Sequence, residues 1–285
     1  MQENSGFTLS HLRITTQKNF REQLPHLQLL LLLLASLLLA VPDNDRYASA
    51  IEAPPQTAAT ISTSLSVSCQ DFNRLNTLIR DEKISLQDGR LEVPLLLNRI
   101  KQEYYQEGGK TVPRSEWHFP LRGYTVAAVG EGSNHGYEPK GYDYYTGNRH
   151  GGHPSLDIFI HDGNQDDLDD RTGEHVAVLA ITGGVVVAQE TKWHAGSELR
   201  GGKYLWLYDP STDHLLYYAH LREITVAIGT RVVPGDTLGY VGRTGWNAHK
   251  KRSPTHLHLT CLSTATSALH PENIYPDLLR ARTIK

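Results

Sequence analysis

Short stretches of alternating hydrophobic and polar residues, separated by glycines, run through the chain from Trp117 onward. In the segment Leu-Asp-Ile-Phe-Ile at 156–160, the leucine and the isoleucines alternate with aspartate and phenylalanine. A period of two residues is typical of a half-buried β-strand, and closely spaced turns favour antiparallel pairing. We therefore predict a mainly β, antiparallel domain over residues 113–285, which is long enough to bury a core of its own.

Before this region the apolar spacing changes to intervals of three and four residues, which predicts helices. Two apolar sets carry this pattern, Phe72, Leu75, Leu78 and Ile79 in the first and Leu95, Leu96, Ile100 and Tyr104 in the second. The polar stretch Gln87–Arg90 is predicted to connect them, so residues 68–112 form a short helical segment beginning at Ser68. This segment either packs on the β domain, links it to a membrane, or is an arm that binds a regulatory partner. Residues 51–67 are predicted to be a linker, since Pro, Ala, Thr and Ser predominate there.

An apolar run near the N-terminus, Leu27–Val41, is almost entirely leucine and alanine and follows a basic stretch. As a helix, its fifteen residues would reach about 22 Å, short of the roughly 30 Å hydrocarbon core of a bilayer. Residues 1–50 are therefore predicted to be a secretory signal sequence cut after Ala48-Ser-Ala50, or else a membrane anchor that stays attached. Both alternatives place the protein outside the cytoplasm, in the periplasm or cell envelope.

Composition and sequence pattern argue against nucleic-acid binding, a disulfide framework and a calcium-binding loop. The net charge of −3 gives no basis for binding nucleic acid. Two cysteines, Cys69 and Cys261, are too few for a disulfide framework, although in an oxidising compartment they could pair or stay free. The acidic run Asp162–Asp170 lacks the glycine and glutamate that a calcium-binding loop requires, so it is predicted to be a solvated loop.

Candidate chemistry is concentrated in five residues of three short motifs. These are His153-Pro-Ser-Leu-Asp157, the isolated Tyr-Ala-His220-Leu, and His256-Leu-His258. A catalytic zinc ion needs three protein ligands and one position left open for water. Three of the five residues would fill that first shell and leave two histidines to handle protons, which favours hydrolysis over a closed structural site.

The spacing of the motifs predicts part of their geometry. His256 and His258 lie two residues apart, so on a β-strand they share a face. His153 and Asp157 would be about 13 Å apart on an extended chain, too far to share an ion. Pro154 and Ser155 favour a turn, so we expect His153 to fold back onto the start of strand 156–160.

Several glycine-rich segments surround these motifs in a characteristic order. The full set is His153-x-x-x-Asp157, Val176-Ala-Val-Leu-Ala180, Gly183-Gly-Val-Val186, Gly202-Lys-Tyr-Leu-Trp-Leu207, Tyr217-Tyr-Ala-His-Leu221, Gly229-Thr-x-Val-x-x-Gly235-Asp-Thr-Leu-Gly239, Gly242-Arg-Thr-Gly245 and His256-Leu-His-Leu259. Over about residues 119–261 the chain resembles the catalytic domain of the M23 (LytM/lysostaphin-type) zinc metallopeptidases. The resemblance implies a barrel-sandwich-like antiparallel fold and one Zn²⁺ per chain held by His153, Asp157 and His258. It also implies that His220 and His256 are the catalytic pair.

The resemblance further implies the function. The chain is expected to be a zinc endopeptidase that hydrolyses peptide bonds in bacterial peptidoglycan cross-links through a metal-activated water. Two alternatives remain, a non-catalytic regulator of other cell-wall hydrolases and a zinc amidase. The chain departs from the family pattern in the residues after the last histidine, in the basic segment Trp246–Thr255 and in the acidic insertion His161–Glu174. These departures bear on the choice of substrate more than on the chemistry.

A tyrosine-rich loop, residues 130–152, precedes the first histidine motif. Its tyrosines are Tyr137, Tyr142, Tyr144 and Tyr145. They could line a groove for the peptide substrate, because a tyrosine ring offers a flat apolar face with a polar tip. Alternatively, the segment is a surface loop with partly buried tyrosines.

Overall fold

The computed structural model describes residues 63–285. The predicted signal sequence or anchor at 1–50 and most of the predicted linker at 51–67 lie outside the described residues. Within residues 63–285, no helix combines the length and apolar character needed to cross a membrane.

Within residues 63–285, nine β-strands pair into one connected antiparallel sheet. They are β1 Ser155–Phe159, β2 Ala177–Leu179, β3 Gly184–Glu190, β4 Lys203–Asp209, β5 His214–Ile224, β6 Arg231–Val232, β7 Thr237–Val241, β8 His256–Ser263 and β9 His270–Pro271. The main path through the sheet is β1-β8-β5-β4-β3-β6, with β7 joining β2 to β5 and β9 pairing with β8. The predicted antiparallel β fold is confirmed.

In the described part of the chain, three α-helices accompany the sheet: α1 Ser64–Arg80, α2 Leu86–Gln106 and the short α3 Tyr275–Leu278. Helix α1 begins before the predicted start at Ser68, because the Thr63 side chain accepts a hydrogen bond from the backbone N–H of Ser66 and caps the helix. The predicted connection at Gln87–Arg90 is wrong, since these residues form the first turn of α2. Ser85 caps that helix by accepting from the N–H of Asp88.

The helical pair covers one face of the sheet and shares a hydrophobic core with it. Phe72 of α1 and Ile100 of α2 are fully buried in the same cluster as Val187 of β3 and Leu215 of β5. Fully burying a side chain of this size contributes about 1.5–3 kcal/mol to folding. The pair is therefore packed as part of the β domain rather than standing apart from it. The opposite face of the sheet carries a separate core around Trp117, where β1 and β8 pack.

The two cysteines lie in different cores and both are free. Cys69 belongs to the cluster under the helices, whereas Cys261 belongs to the cluster on the opposite face of the sheet. The possible disulfide is thus contradicted, because the sheet separates the two thiols. Burial raises the pKa of the Cys69 thiol to about 12, which keeps it protonated and unreactive at neutral pH.

The acidic insertion is more ordered than the predicted solvated loop. Asp162 and Asp169 are buried. The Asp162 carboxylate accepts hydrogen bonds from the backbone N–H groups of Asp166 and Asp167, and from the Thr255 hydroxyl at 2.6 Å. These internal donors satisfy the carboxylate and fix the loop beside the first residue of β8.

Candidate metal centre

The centre lies where β1, β8 and β5 run side by side. Strand register places Asp157 of β1 opposite His258 of β8. His258 in turn lies opposite Ala219, the residue before His220 on β5. His153 comes from the turn just before β1, as predicted, and its Nε2 lies 3.4 Å from Oδ1 of Asp157. The fold therefore gathers residues from three distant parts of the chain into one cleft.

Three of these residues form a compact triangle of potential metal ligands. Nδ1 of His258 lies 2.9 Å from Oδ1 of Asp157. One ligand atom from each of His153, Asp157 and His258 can be chosen so that all lie within 4.8 Å of one another. Ligands around a tetrahedral zinc at 2.0–2.1 Å are separated by about 3.3 Å. The separations of 3.4 Å and 2.9 Å from Asp157 to His153 and His258 are close to this value, so these ligand atoms lie at distances suited to a zinc ion.

A second group overlaps the first. His220, His256 and His258 also bring ligand atoms within 4.8 Å of one another, and the ring centroids of His220 and His256 are 4.9 Å apart. His256 Nε2 lies 3.7 Å from Oδ2 of Asp157. All five residues singled out in the sequence are thus brought together in the structure.

Backbone carbonyls orient three of the four histidine rings. The ring Nδ1 lies beside a carbonyl oxygen in His153 with Gly136 (2.9 Å), His220 with Thr244 (2.8 Å) and His256 with Pro254 (2.7 Å). A carbonyl oxygen only accepts hydrogen bonds, so Nδ1 carries the proton in each ring and Nε2 keeps its lone pair. Each Nε2 faces the cluster, which is how metal-binding and proton-accepting histidines are usually held.

His258 has the opposite orientation. Its Nε2 lies 2.7 Å from the Ser155 hydroxyl, which is itself 2.5 Å from the Thr260 hydroxyl. This polar pair holds the ring so that Nδ1, rather than Nε2, faces Asp157. The sequence motifs did not single out Ser155 or Thr260, whose role depends on the register between β1 and β8.

The charges of the cluster depend on Asp157. Burial tends to raise the pKa of Asp157, but the adjacent His153 and His258 rings outweigh burial and bring the pKa well below its usual range. The adjacent Asp157 carboxylate raises the pKa of His153. Burial, and then the nearby His256, hold the pKa of His220 well below its usual value, and burial also lowers that of His258. The cleft therefore holds an ionised carboxylate, and burial favours the neutral form of the His220 and His258 imidazoles beside it, a donor set suited to a cation.

A β-bulge turns His220 toward the cluster. Strand β5 has two residues, Ala219 and His220, where β4 has only Tyr204. His220 has a φ of +63°, in the left-handed region that a histidine rarely adopts. Such a conformation costs about 1–3 kcal/mol and persists where the surrounding structure fixes it. Here the N–H of His220 donates to the carbonyl of Gly201. The sequence carries no readable signal for this bulge.

The cleft around the cluster has a volume of about 230 Å³. Besides the predicted residues, its walls include Arg200, Tyr217 and Asn247. Sequence analysis did not predict these as site residues: Arg200 and Asn247 lie outside the histidine motifs, and Tyr217 was noted only as part of the motif around His220. Their positions follow from the β3–β4 connection, strand β5 and the basic segment before β8.

The tyrosine-rich loop only partly fits the predicted peptide groove. Tyr144 and Tyr145 are buried, and their hydroxyls donate to Oδ1 of Asn76 and to the carbonyl of Ser267. These two tyrosines attach the loop to the body of the protein, as in the surface-loop alternative. Tyr142 lines a cavity next to the cleft.

Gly147 brings the same loop into direct contact with α1. It has a φ of +57°, and a Cβ at this position would overlap the carbonyl oxygens of Ile79 and Arg80 at the end of that helix. The loop then continues through His150 to His153. Helix α1 therefore supports the loop that carries the first candidate ligand.

Replacing Gly147 by alanine should separate the loop from α1. We expect about 3 kcal/mol of lost stability, measured by urea unfolding, from backbone strain together with the steric overlap. Gly123→Ala is the matched control, since Gly123 has a φ of +74° but nothing within 4 Å of an added Cβ. The control should lose about 1–2 kcal/mol from strain alone. Equal losses in the two variants would show that the contact with α1 is unimportant.

An antiparallel sheet that presents four histidines and one aspartate in a single cleft defines a candidate metal centre. In a comparison by sequence, residues 160–271 match the model of peptidase family M23, so this segment is similar to that family. The matched segment contains His220, His256 and His258 but begins after His153 and Asp157. His153 and Asp157 lie close to these three histidines in the folded structure, as described above.

Solved structures of this family are similar to the chain. The catalytic domain of the antimicrobial peptidase lysostaphin from Staphylococcus simulans is 25% identical with a TM-score of 0.37, covering 54% of this chain and 94% of that domain. A putative glycyl-glycine endopeptidase LytM from Ruminococcus gnavus is 20% identical with a TM-score of 0.40, covering 78% of this chain and 98% of that one. A zinc-containing peptidase from Vibrio cholerae is 20% identical with a TM-score of 0.35, covering 62% of this chain and 43% of that one. Of a longer lysostaphin structure, the match covers 55%. A comparison with curated proteins finds no match.

Proposed function

We propose that this protein is a zinc-dependent endopeptidase that hydrolyses peptide bonds in bacterial peptidoglycan cross-links. One observation carries the proposal. The hydrogen bonds of His153, His220 and His256 to backbone carbonyls fix all three rings, and the Nε2 atoms of His153 and His256 face the carboxylate of Asp157. A cluster of structural histidines would have no need for this shared orientation. The family match to a peptidase supports the reaction class.

The metal would be held by Nε2 of His153, a carboxylate oxygen of Asp157 and Nδ1 of His258. These atoms have the chemistry that zinc prefers and the spacing described above. When bound, Zn²⁺ acts as a Lewis acid on a carbonyl group and lowers the pKa of water toward about 7. With Zn²⁺ bound, the single carboxylate among the three ligands would leave the site with net positive charge, which would favour ionisation of water.

His220 and His256 would handle the protons. The Nε2 atom of each ring keeps its lone pair and faces the cluster, so either ring can accept a proton from the attacking water and pass it to the leaving amine. The other ring, once protonated, donates a hydrogen bond to the negative charge that develops on the carbonyl oxygen. Thr244 and Pro254 keep both rings in the required tautomer through their carbonyls.

The proposed site of action is outside the cytoplasm. This part rests on the sequence alone, on the apolar run Leu27–Val41 and the small-residue motif that ends at Ala50. Peptidoglycan peptides are the proposed partners, and the N-terminal segment could also attach the protein to the membrane. An exported wall hydrolase would meet its substrate in this compartment.

Digestion of purified sacculi tests the proposal. The protein is incubated with sacculi, with and without a chelator, and the soluble fragments are analysed by liquid chromatography and mass spectrometry. We expect cross-linked fragments to be converted to monomers, and we expect the chelator to stop this conversion and added zinc to restore it. Release of intact stem peptides from the glycan would indicate an amidase instead. Unchanged sacculi would indicate a regulator.

A further inference from the structure

A second cavity lies beside the cleft and is built partly by the helical pair. Its volume is about 80 Å³, room for about five water molecules or one small charged group. Asn76, Ile79 and Arg80 of α1 line one side of it, and the rings of Tyr204 and Trp206 on β4 line another. The cavity therefore exists only because α1 packs on the sheet.

The cavity and the cleft share a common wall. Both are lined by His150, Pro154, Arg200, Gly201, Tyr217 and His258. The ring centroid of Tyr217 lies 6.2 Å from that of His258, one of the candidate zinc ligands. A distance of this size corresponds to about two residues of extended peptide. A substrate held at the metal centre could therefore place a neighbouring group in the cavity.

The side chains that line the cavity carry positive charge, and only part of this charge is neutralised by carboxylates. Its lining includes Arg80 and Arg200 but no carboxylate. Arg80 is neutralised, because its guanidinium lies 2.7 Å from both Glu190 and Asp81. Arg200 has no carboxylate partner within the described part of the chain. Arg200 thus supplies the uncompensated charge at the boundary between the cavity and the cleft.

Arg200 is held in place at this boundary. Its Nη1 donates to the carbonyl of His150 at 2.6 Å, and its backbone N–H donates to Oδ1 of Asn148 at 3.1 Å. Tyr217 also lines both spaces, and its hydroxyl makes no hydrogen bond to residues 63–285. A guanidinium and a free hydroxyl on residues that line the same cavity are suitable donors for a carboxylate.

We propose that this cavity binds a carboxylate group of the substrate peptide, within about two residues of the bond that is cleaved, with Arg200 as the residue that determines this specificity. The inference rests on the proposed endopeptidase function and narrows its substrate class. The favoured substrates would be cross-linked peptides with a free carboxylate near the scissile bond. Uncharged bridges, such as a run of glycines, would leave the Arg200 charge unpaired.

The test compares two substrates that differ only in charge. Cross-linked peptide dimers purified from sacculi are used as isolated, or after carbodiimide coupling to ammonia converts their carboxylates to amides. For the wild-type protein, kcat/KM should be at least about tenfold higher for the native dimer, because a hydrogen bond to a charged group is stronger than one to a neutral group. The Arg200→Gln variant should lose this preference and have about the same kcat/KM for both dimers.

Arg149→Gln is the matched control. Arg149 lies in the same loop as His150, but its side chain is 81% exposed, pairs with Glu82 and does not line the cavity. This variant should keep the wild-type preference. Equal rates for both dimers with the wild-type protein would overturn the inference, as would an Arg200→Gln variant that keeps the full preference.

A binding measurement separates this inference from the endopeptidase proposal. The dissociation constants of both dimers are measured by calorimetry with the His220→Ala variant, which should consume them too slowly to interfere. Tighter binding of the native dimer, lost on adding Arg200→Gln, would support the carboxylate site even if the wild-type protein cleaves neither dimer. Equal binding of the two dimers would refute the site whether or not cleavage occurs.

Discussion

Asp157→Ala should abolish zinc binding and peptide hydrolysis together. Asp157 is the only carboxylate in the candidate ligand triangle, and its Oδ1 lies within 3.4 Å of His153 and 2.9 Å of His258. Without it the site would keep two neutral ligands and lose the charge that attracts a cation. We expect zinc, measured by elemental analysis after removal of loosely bound metal, to fall from about one ion per chain to nearly none. Hydrolysis of sacculi should fall at least about a thousandfold.

Asp166→Ala is a suitable control for this variant, since Asp166 is an exposed aspartate in the acidic insertion outside the ligand triangle. It should keep both zinc and activity. His153→Ala and His258→Ala should behave like Asp157→Ala. An active His258→Ala protein with a full complement of zinc would contradict the assignment of the ligands.

His220→Ala should separate metal binding from turnover. His220 lies in the cleft with its Nε2 free, but it is outside the triangle formed by His153, Asp157 and His258. We expect zinc content to remain near that of the wild-type protein. Removing a group that transfers protons typically slows a reaction by about 10²–10⁴-fold, so kcat should fall by that factor, as measured by single-turnover digestion. His256→Ala should have the same effect for the same reason.

His249→Ala provides a matched control for the histidine variants. The Nδ1 of His249 also lies 2.7 Å from a backbone carbonyl, that of Gly245, but His249 is not part of the ligand cluster. It should change kcat by less than about threefold, as expected for a residue outside the reacting groups. Loss of zinc from His220→Ala would instead mean that His220 is a ligand.

Local periodicity was sufficient to predict the strands that carry the centre. The alternation at 156–160 corresponds to β1 at Ser155–Phe159, and the His-x-His spacing correctly places both histidines at the start of β8. The turn before β1 also follows from Pro154, which disfavours a continuous strand. These features are determined by residues that lie close together in the sequence. They can therefore be predicted from one sequence alone.

Features that depend on contacts between distant residues could not be predicted in this way. The pairing of Asp157 with His258 depends on strand register, and the orientation of His220 depends on a bulge opposite Tyr204. The start of α2 was misplaced, because the Ser85 cap outweighs the low helix propensity of Gly89. The two cysteines could be assigned to opposite sides of the sheet only from the packed structure.

The packing of the helices on the sheet has a practical consequence for anyone who wishes to attach this β domain to a targeting module. A fusion that begins at residue 113, where the β region was predicted to start, would expose the rings of Tyr204, Trp206 and Tyr208 to water. Exposed apolar patches of this kind promote aggregation. A junction at or before Thr63 would retain the capped α1 and keep those rings covered.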